Sequence, residues 1–120
     1  MAAGIYDFTD DNAIEIGASL ERPVQWLDGA GVVMNLTGYT ARMQVRQSIA
    51  SSVILLNLTT ENGGIVIDAL TGTIKLTQTA LQTAAYTWRR GVYDLELMSP
   101  SGFVTRLMQG AVETSPEVTR

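Results

Sequence analysis

The chain has 120 residues, 8 Lys+Arg against 12 Asp+Glu for a net charge of −4, and neither Cys nor His. Those absences exclude thiol nucleophiles, disulfides, imidazole bases and the common zinc and haem ligand sets, leaving carboxylates, hydroxyls, Tyr, one Lys and seven Arg to carry chemistry. An apolar fraction of 46% with 17% charged residues, at this length, describes one folded domain spanning 1–120 with a single core.

The first residues, Met1 to Phe8, have no basic region and turn acidic at Asp7, which is unlike a signal peptide and predicts a cytoplasmic site of synthesis. Residues 1–12 read as an extended amino-terminal arm carrying Tyr6 and Phe8. Asp10-Asp11-Asn12 offers oxygen ligands of the kind calcium takes, but lacks the Gly and later Glu of an EF-hand loop, so an ordinary loop is the plainer reading. Ile14, Ile16 and Leu20 then alternate with polar or small residues, and Val24 and Trp26 continue the pattern past Pro23, a residue suited to a strand edge. Asp28-Gly29-Ala30-Gly31 is a turn; no helix start follows its Gly-x-Gly, so it is not a phosphate loop.

Tyr39 to Arg46 is the clearest strand, apolar at odd positions and Thr, Arg, Gln, Arg at even ones. Val53–Leu58 reads as a more fully buried strand, and Asn62-Gly63 as the type I′ turn of a hairpin leading to Ile65-Val66-Ile67. Thr73–Thr77 follows, with Ile74 and Leu76 on one face and Lys75 on the other. Residues 79–85 depart from strand spacing: Thr79 with Gln82 three positions on is a capping-box pattern, predicting a short helix. Residues 92–98 and 103–108 form a hairpin through Pro100-Ser101-Gly102. It sets Leu97 opposite Thr105, Glu96 opposite Arg106 and Leu95 opposite Leu107, with Tyr93, Leu95, Leu97, Phe103 and Leu107 on the core face. The Glu96–Arg106 pair would contribute about 0.2–1 kcal/mol. Residues 115–120 read as an extended polar tail ending in Arg120.

Seven to nine short strands at spacings of about 8–12 residues are the signature of an all-β sandwich or barrel. No apolar run reaches membrane-spanning length, and the acidic balance with scattered arginines argues against nucleic acid or an anionic membrane as partner. Asp94 and Glu96 share a strand face as a glycosidase pair might, yet any exposed strand gives that spacing. Trp88-Arg89-Arg90 beside Tyr86 has the composition of a protein interface, and also of a sugar-stacking platform; the alternative is that Trp88 caps the core while the arginines pair with nearby acids. Fourteen threonines and one lysine leave strand edges poorly protected by charge, which suits a protein living among neighbours.

Several stretches carry a resemblance. Tyr6-Asp7-Phe8-Thr9, Trp26-Leu27-Asp28-Gly29, the run Asn35-Leu36-Thr37-Gly38-Tyr39-Thr40-Ala41-Arg42-Met43-Gln44-Val45-Arg46, Thr71-Gly72-Thr73-Ile74, Val92 to Leu97 with Pro100-Ser101-Gly102, Val104 to Leu107, Gly110, and Ser115 to Arg120 are similar to small structural proteins of tailed bacteriophages and prophages. These in turn resemble the amino-terminal β-sandwich of baseplate upper proteins. The family's first strand starts with a Gln-Gly-Asp or Gln-Gly-Ala turn, where this chain has Asp10-Asp11-Asn12. The resemblance implies an immunoglobulin-like sandwich acting as a non-enzymatic virion component of the tail, baseplate or fibre-attachment region. It implies contacts with other virion proteins and with further copies of the chain, and no cofactor, metal or small-molecule substrate. The expected interface residues are Tyr6, Phe8, Trp88, Arg89, Arg90 and Arg120. Alternatives are a capsid decoration or head-fibre protein, and a glycan-binding module using Trp26 or Trp88.

Overall fold

A computed structural model describes residues 3–119. The strands are β1 (Gly4–Ile5), β2 (Ile14–Glu15), β3 (Leu20–Gln25), β4 (Thr40–Arg46), β5 (Ile54–Thr59), β6 (Ile65–Asp68), β7 (Thr73–Gln78), β8 (Arg90–Met98) and β9 (Val104–Ser115), with one helix, α1 (Ala80–Ala84), between β7 and β8. They form two sheets. The larger runs β1-β9-β8-β4-β5, with β2 also on β9; the smaller runs β3-β7-β6. Taking β3 to β9 as strands B, C, C′, D, E, F and G puts B-E-D in one sheet and G-F-C-C′ in the other, the arrangement of an immunoglobulin-like sandwich.

Alternation builds the core. Ala41, Met43 and Val45 of β4, Tyr93, Leu95 and Leu97 of β8, and Ile74 and Leu76 of β7 all point between the sheets and are buried. Each such aliphatic side chain contributes about 1.5–3 kcal/mol on burial. The chain has no cysteine, so this apolar layer joins the sheets without the disulfide of antibody domains. Pro23 lies, as its chemistry suggests, on the edge strand β3.

The short helix forms where the sequence places it, and both halves of its capping box are made: Gln82 N–H donates to Thr79 Oγ1 at 3.1 Å, and Thr79 N–H donates to Gln82 Oε1 at 2.8 Å. Thr83, buried beneath it, donates from Oγ1 to the Ala18 carbonyl at 2.8 Å and accepts from Gly17 N–H at 3.0 Å, fastening α1 to the turn between β2 and β3.

Three local expectations are corrected. Val53–Leu58 is not fully buried: β5 is an edge strand, and of its residues only Leu58 is buried. Asn62-Gly63 closes no hairpin, because β5 and β6 belong to different sheets and Asn62 does not take the positive φ that a type I′ turn demands. Its side chain knits the crossing instead: Oδ1 accepts from Thr59 N–H (2.9 Å) and Gly64 N–H (2.8 Å), and Nδ2 donates to the Asn57 carbonyl (2.9 Å). The β8–β9 hairpin has the expected turn, with Gly102 at φ 89° and Ser99 N–H bonded to Phe103 O. It keeps the 96–106 and 97–105 pairs, but a bulge sets Leu95 opposite Met108 rather than Leu107. Phe103 sits at the turn beyond the last ladder pair, Met98–Val104, and is 71% exposed rather than in the core.

Candidate interaction surface

The amino-terminal segment lies along β9 of its own chain. β1 pairs in parallel with Met108 and Gln109, Phe8 bridges to Val112, and β2 pairs with Thr114 and Ser115. Phe8 N–H donates to Ala111 O and Phe8 O accepts from Glu113 N–H, both at 2.8 Å. The approach is close enough that a Cβ on Gly110 would collide with the Tyr6 backbone oxygen, so glycine is required there.

Phe8, expected on an arm available to partners, is corrected to a core residue. It is 2% exposed and packs edge-on between Tyr6 (centroids 5.0 Å) and Tyr93 (5.1 Å), with the Arg22 guanidinium 5.7 Å from its ring. Arg22 also donates to the Asn12 and Ala13 carbonyls, binding the edge strand β3 to this segment. Tyr6 is 40% exposed, and its carbonyl accepts from the Tyr93 hydroxyl at 2.6 Å. Burial, with Asp7 and Tyr6 beside it, pushes the Tyr93 hydroxyl pKa well above its usual value. Asp10–Asn12 form a 3-10 turn with Asp10 at φ 52°; among the described residues no group of three or more acidic side chains could hold a metal ion.

Trp88 is likewise corrected: at 9% exposure it is a core residue, stacked on Tyr86 with centroids 5.4 Å apart. Its Nε1 is buried with no hydrogen-bond partner among the described residues, and its carbonyl accepts from Thr114 Oγ1 at 2.7 Å. Neither Phe8 nor Trp88 has a ring face free for a sugar or a partner. Trp26 is half-buried against Tyr39. Arg89 and Arg90 are exposed; Arg90 reaches Glu113 at 3.3 Å, and both arginines line a shallow concavity with Asp10 and Pro116. Arg120 lies outside the described residues.

The surface that the sequence did not single out is the outer face of the larger sheet. Alternation places Arg42, Gln44 and Arg46 of β4, Val92, Asp94 and Glu96 of β8, and Arg106 and Gln109 of β9 together on it. Arg42 Nε meets Glu96 Oε1 at 3.0 Å and Arg106 Nε meets Asp94 Oδ2 at 3.4 Å, so the expected Glu96–Arg106 ion pair is replaced by two others. Each carboxylate of the supposed acid/base pair is therefore held by an arginine. Arg46 donates to Ser51 O and Gln44 Oε1. A depression of about 570 Å³ crosses this face, with Ile5 at one side and Ile49, 93% exposed on the β4–β5 loop, at the other. Val53 and Ile54 continue the apolar rim, and the chain carries no charge between Arg46 and Glu61. Arg42, Arg46, Arg90 and Arg106 are met on this face by Asp94, Glu96 and Glu113 and, on β2 beside Ser115, by Glu15, so the face is close to neutral in a chain of −4.

Elsewhere Lys75 pairs with Glu21 at 3.4 Å across β3 and β7. Among the described residues no helix is long and apolar enough to cross a membrane. No protein-family model matches the sequence, and no curated protein matches it.

Proposed function

We propose that this immunoglobulin-like sandwich is a non-enzymatic structural component of a tailed-phage particle, placed in the tail, baseplate or fibre-attachment region and working through protein–protein contacts. The observation that carries the assembly role is the outer face of the larger sheet: an open, nearly neutral surface rimmed by exposed Ile5, Ile49, Val53 and Ile54 on an otherwise acidic molecule. Exposed apolar groups around paired charges are the composition of an interface that gains by excluding water. The phage setting is supported by the likeness of the Leu36 to Arg46 run and the Val92 to Gly102 hairpin to small phage structural proteins.

The test is to raise antibodies against the chain and gold-label particles released by cells that carry its gene. Label at the tail supports the proposal. Label spread over the capsid replaces it with a decoration or head-fibre role, and unlabelled particles with the protein left in the cell overturn it.

A further inference from the structure

We propose that the outer face of the larger sheet docks on the same face of a second copy, about a two-fold axis that runs along the strands between β4 and β8. This deepens the assembly role proposed above and rests on it. The two strands beside that axis carry opposite charge: Arg42 and Arg46 on β4, Asp94 and Glu96 on β8. A two-fold axis parallel to the strands lays each β8 over the other copy's β4, and each β5 over the other copy's β9, while keeping every residue at its own height along the strand. Arg42 is level with Glu96 in the ladder, so Arg42 of one copy meets Glu96 of the second. Two in-chain pairs of 3.0 Å become one ring of four alternating charges.

The same operation matches the apolar rims. Ile54 is level with Arg46, Arg46 with Val92, and Val92 with Ala111, which brings Ile54 over Ala111 of the second copy. Ile49, on the loop that follows Arg46, falls on the depression lined by Val92 and Gly110 of the second copy. Nothing charged between Arg46 and Glu61 has to lose its water when this corner is covered.

Charge also selects the face. Most of the chain's net −4 lies on the remaining surfaces, so contacts between copies through them repel, whereas this face, close to neutral with both signs alternating, is complementary to itself. The four strands that overlap, about 4.8 Å apart and about seven residues long at about 3.3 Å each, span roughly 19 Å by 23 Å. That is about 440 Å² per partner before side-chain relief, the size of a weak, concentration-dependent contact rather than of a stable complex. Edge-to-edge pairing of β5 with β5 is the weaker geometry, because the Asn62 amide already occupies Thr59 N–H and Asn57 O as a further strand would.

The experiment is sedimentation velocity of the full chain over a concentration series, with Arg42→Glu, Glu96→Arg, and the two variants mixed. Each single variant puts four like charges in the ring, and its association should be at least about tenfold weaker than wild type. The mixture sets two carboxylates of one copy against two arginines of the other, and should associate more tightly than either variant alone. Thermal melting of each variant separates lost association from lost fold, and Ile49→Asp, on an exposed loop, repeats the test away from the ring. Self-docking is overturned by wild type that stays monomeric up to about 1 mM, by single variants that associate like wild type, or by a mixture no tighter than its parts. A monomer in solution that still labels particles removes the self-docking and leaves the assembly role. A dimer absent from particles does the reverse.

Discussion

Replacing Phe8 with alanine separates a docked amino-terminal strand from a free arm. Phe8 is 2% exposed and makes two edge-on ring contacts, with Tyr6 and Tyr93. Its backbone bonds to Ala111 and Glu113 survive the substitution, so the loss is that of the ring and of the cavity it leaves. Buried Phe→Ala changes cost about 3–5 kcal/mol. Unfolding entropy of about 2.1 cal/mol/K per residue makes 1 kcal/mol worth roughly 4 °C in a chain of 120 residues, so Tm should fall by about 12–20 °C. Urea titration and thermal melting followed by circular dichroism read both quantities. Phe103→Ala is the matched control: the same ring, 71% exposed at the hairpin turn, should change stability by less than about 0.5 kcal/mol. A Phe8→Ala protein within about 1 kcal/mol of wild type would refute the docked strand.

Other substitutions probe single features. Thr83→Val leaves the Ala18 carbonyl and the Gly17 N–H unsatisfied under α1, and should cost about 1–3 kcal/mol by urea midpoint, with Thr83→Ser largely restoring it. Asn62→Ala frees Thr59 N–H and Asn57 O on the β5 edge; it should lower stability by about 1–2 kcal/mol and raise light scattering on concentration, as an unblocked edge pairs with others. Burial pushes the Tyr86 hydroxyl up to about 12 from 10, so the unfolded chain releases this proton first. Stability that is complete below pH 10 is therefore lost as pH rises toward 12. Tyr86→Phe removes that loss along with the 3.0 Å bond to Gln78, and its urea midpoint should fall less steeply than that of wild type between pH 9 and 11. Parallel slopes would count against a buried, neutral Tyr86.

What could be read in the sequence was local. The alternation in Thr40–Arg46, the Thr79–Gln82 cap and the Pro100-Ser101-Gly102 turn depend on residues within a few positions of each other, and all three are made. What could not be read depends on distant pairing. Phe8 is buried because its segment runs parallel to β9, about a hundred residues on, and nothing near Phe8 announces that partner. The apolar run at 53–58 looks like an interior strand, yet its place at the sheet edge leaves Val53 and Ile54 exposed. Register alone does not fix ion pairing: Glu96 stays opposite Arg106, yet its carboxylate meets Arg42 on the other neighbouring strand while Arg106 meets Asp94. The candidate surface was hidden for the same reason, since its residues come from five strands that are adjacent only in the folded sheet. Composition did carry a hint, in the uncharged stretch between Arg46 and Glu61.

Side-chain footprinting with hydroxyl radicals tests most directly whether the outer face of the larger sheet is an interface. Dilute free chain and the chain within purified particles should differ at Ile5 and Ile49, both largely exposed in the isolated molecule, which become protected in the particle. Leu70 and Leu81, equally exposed but far from that face, should keep their reactivity. Ile5 and Ile49 as reactive in the particle as in dilute solution would contradict the assignment.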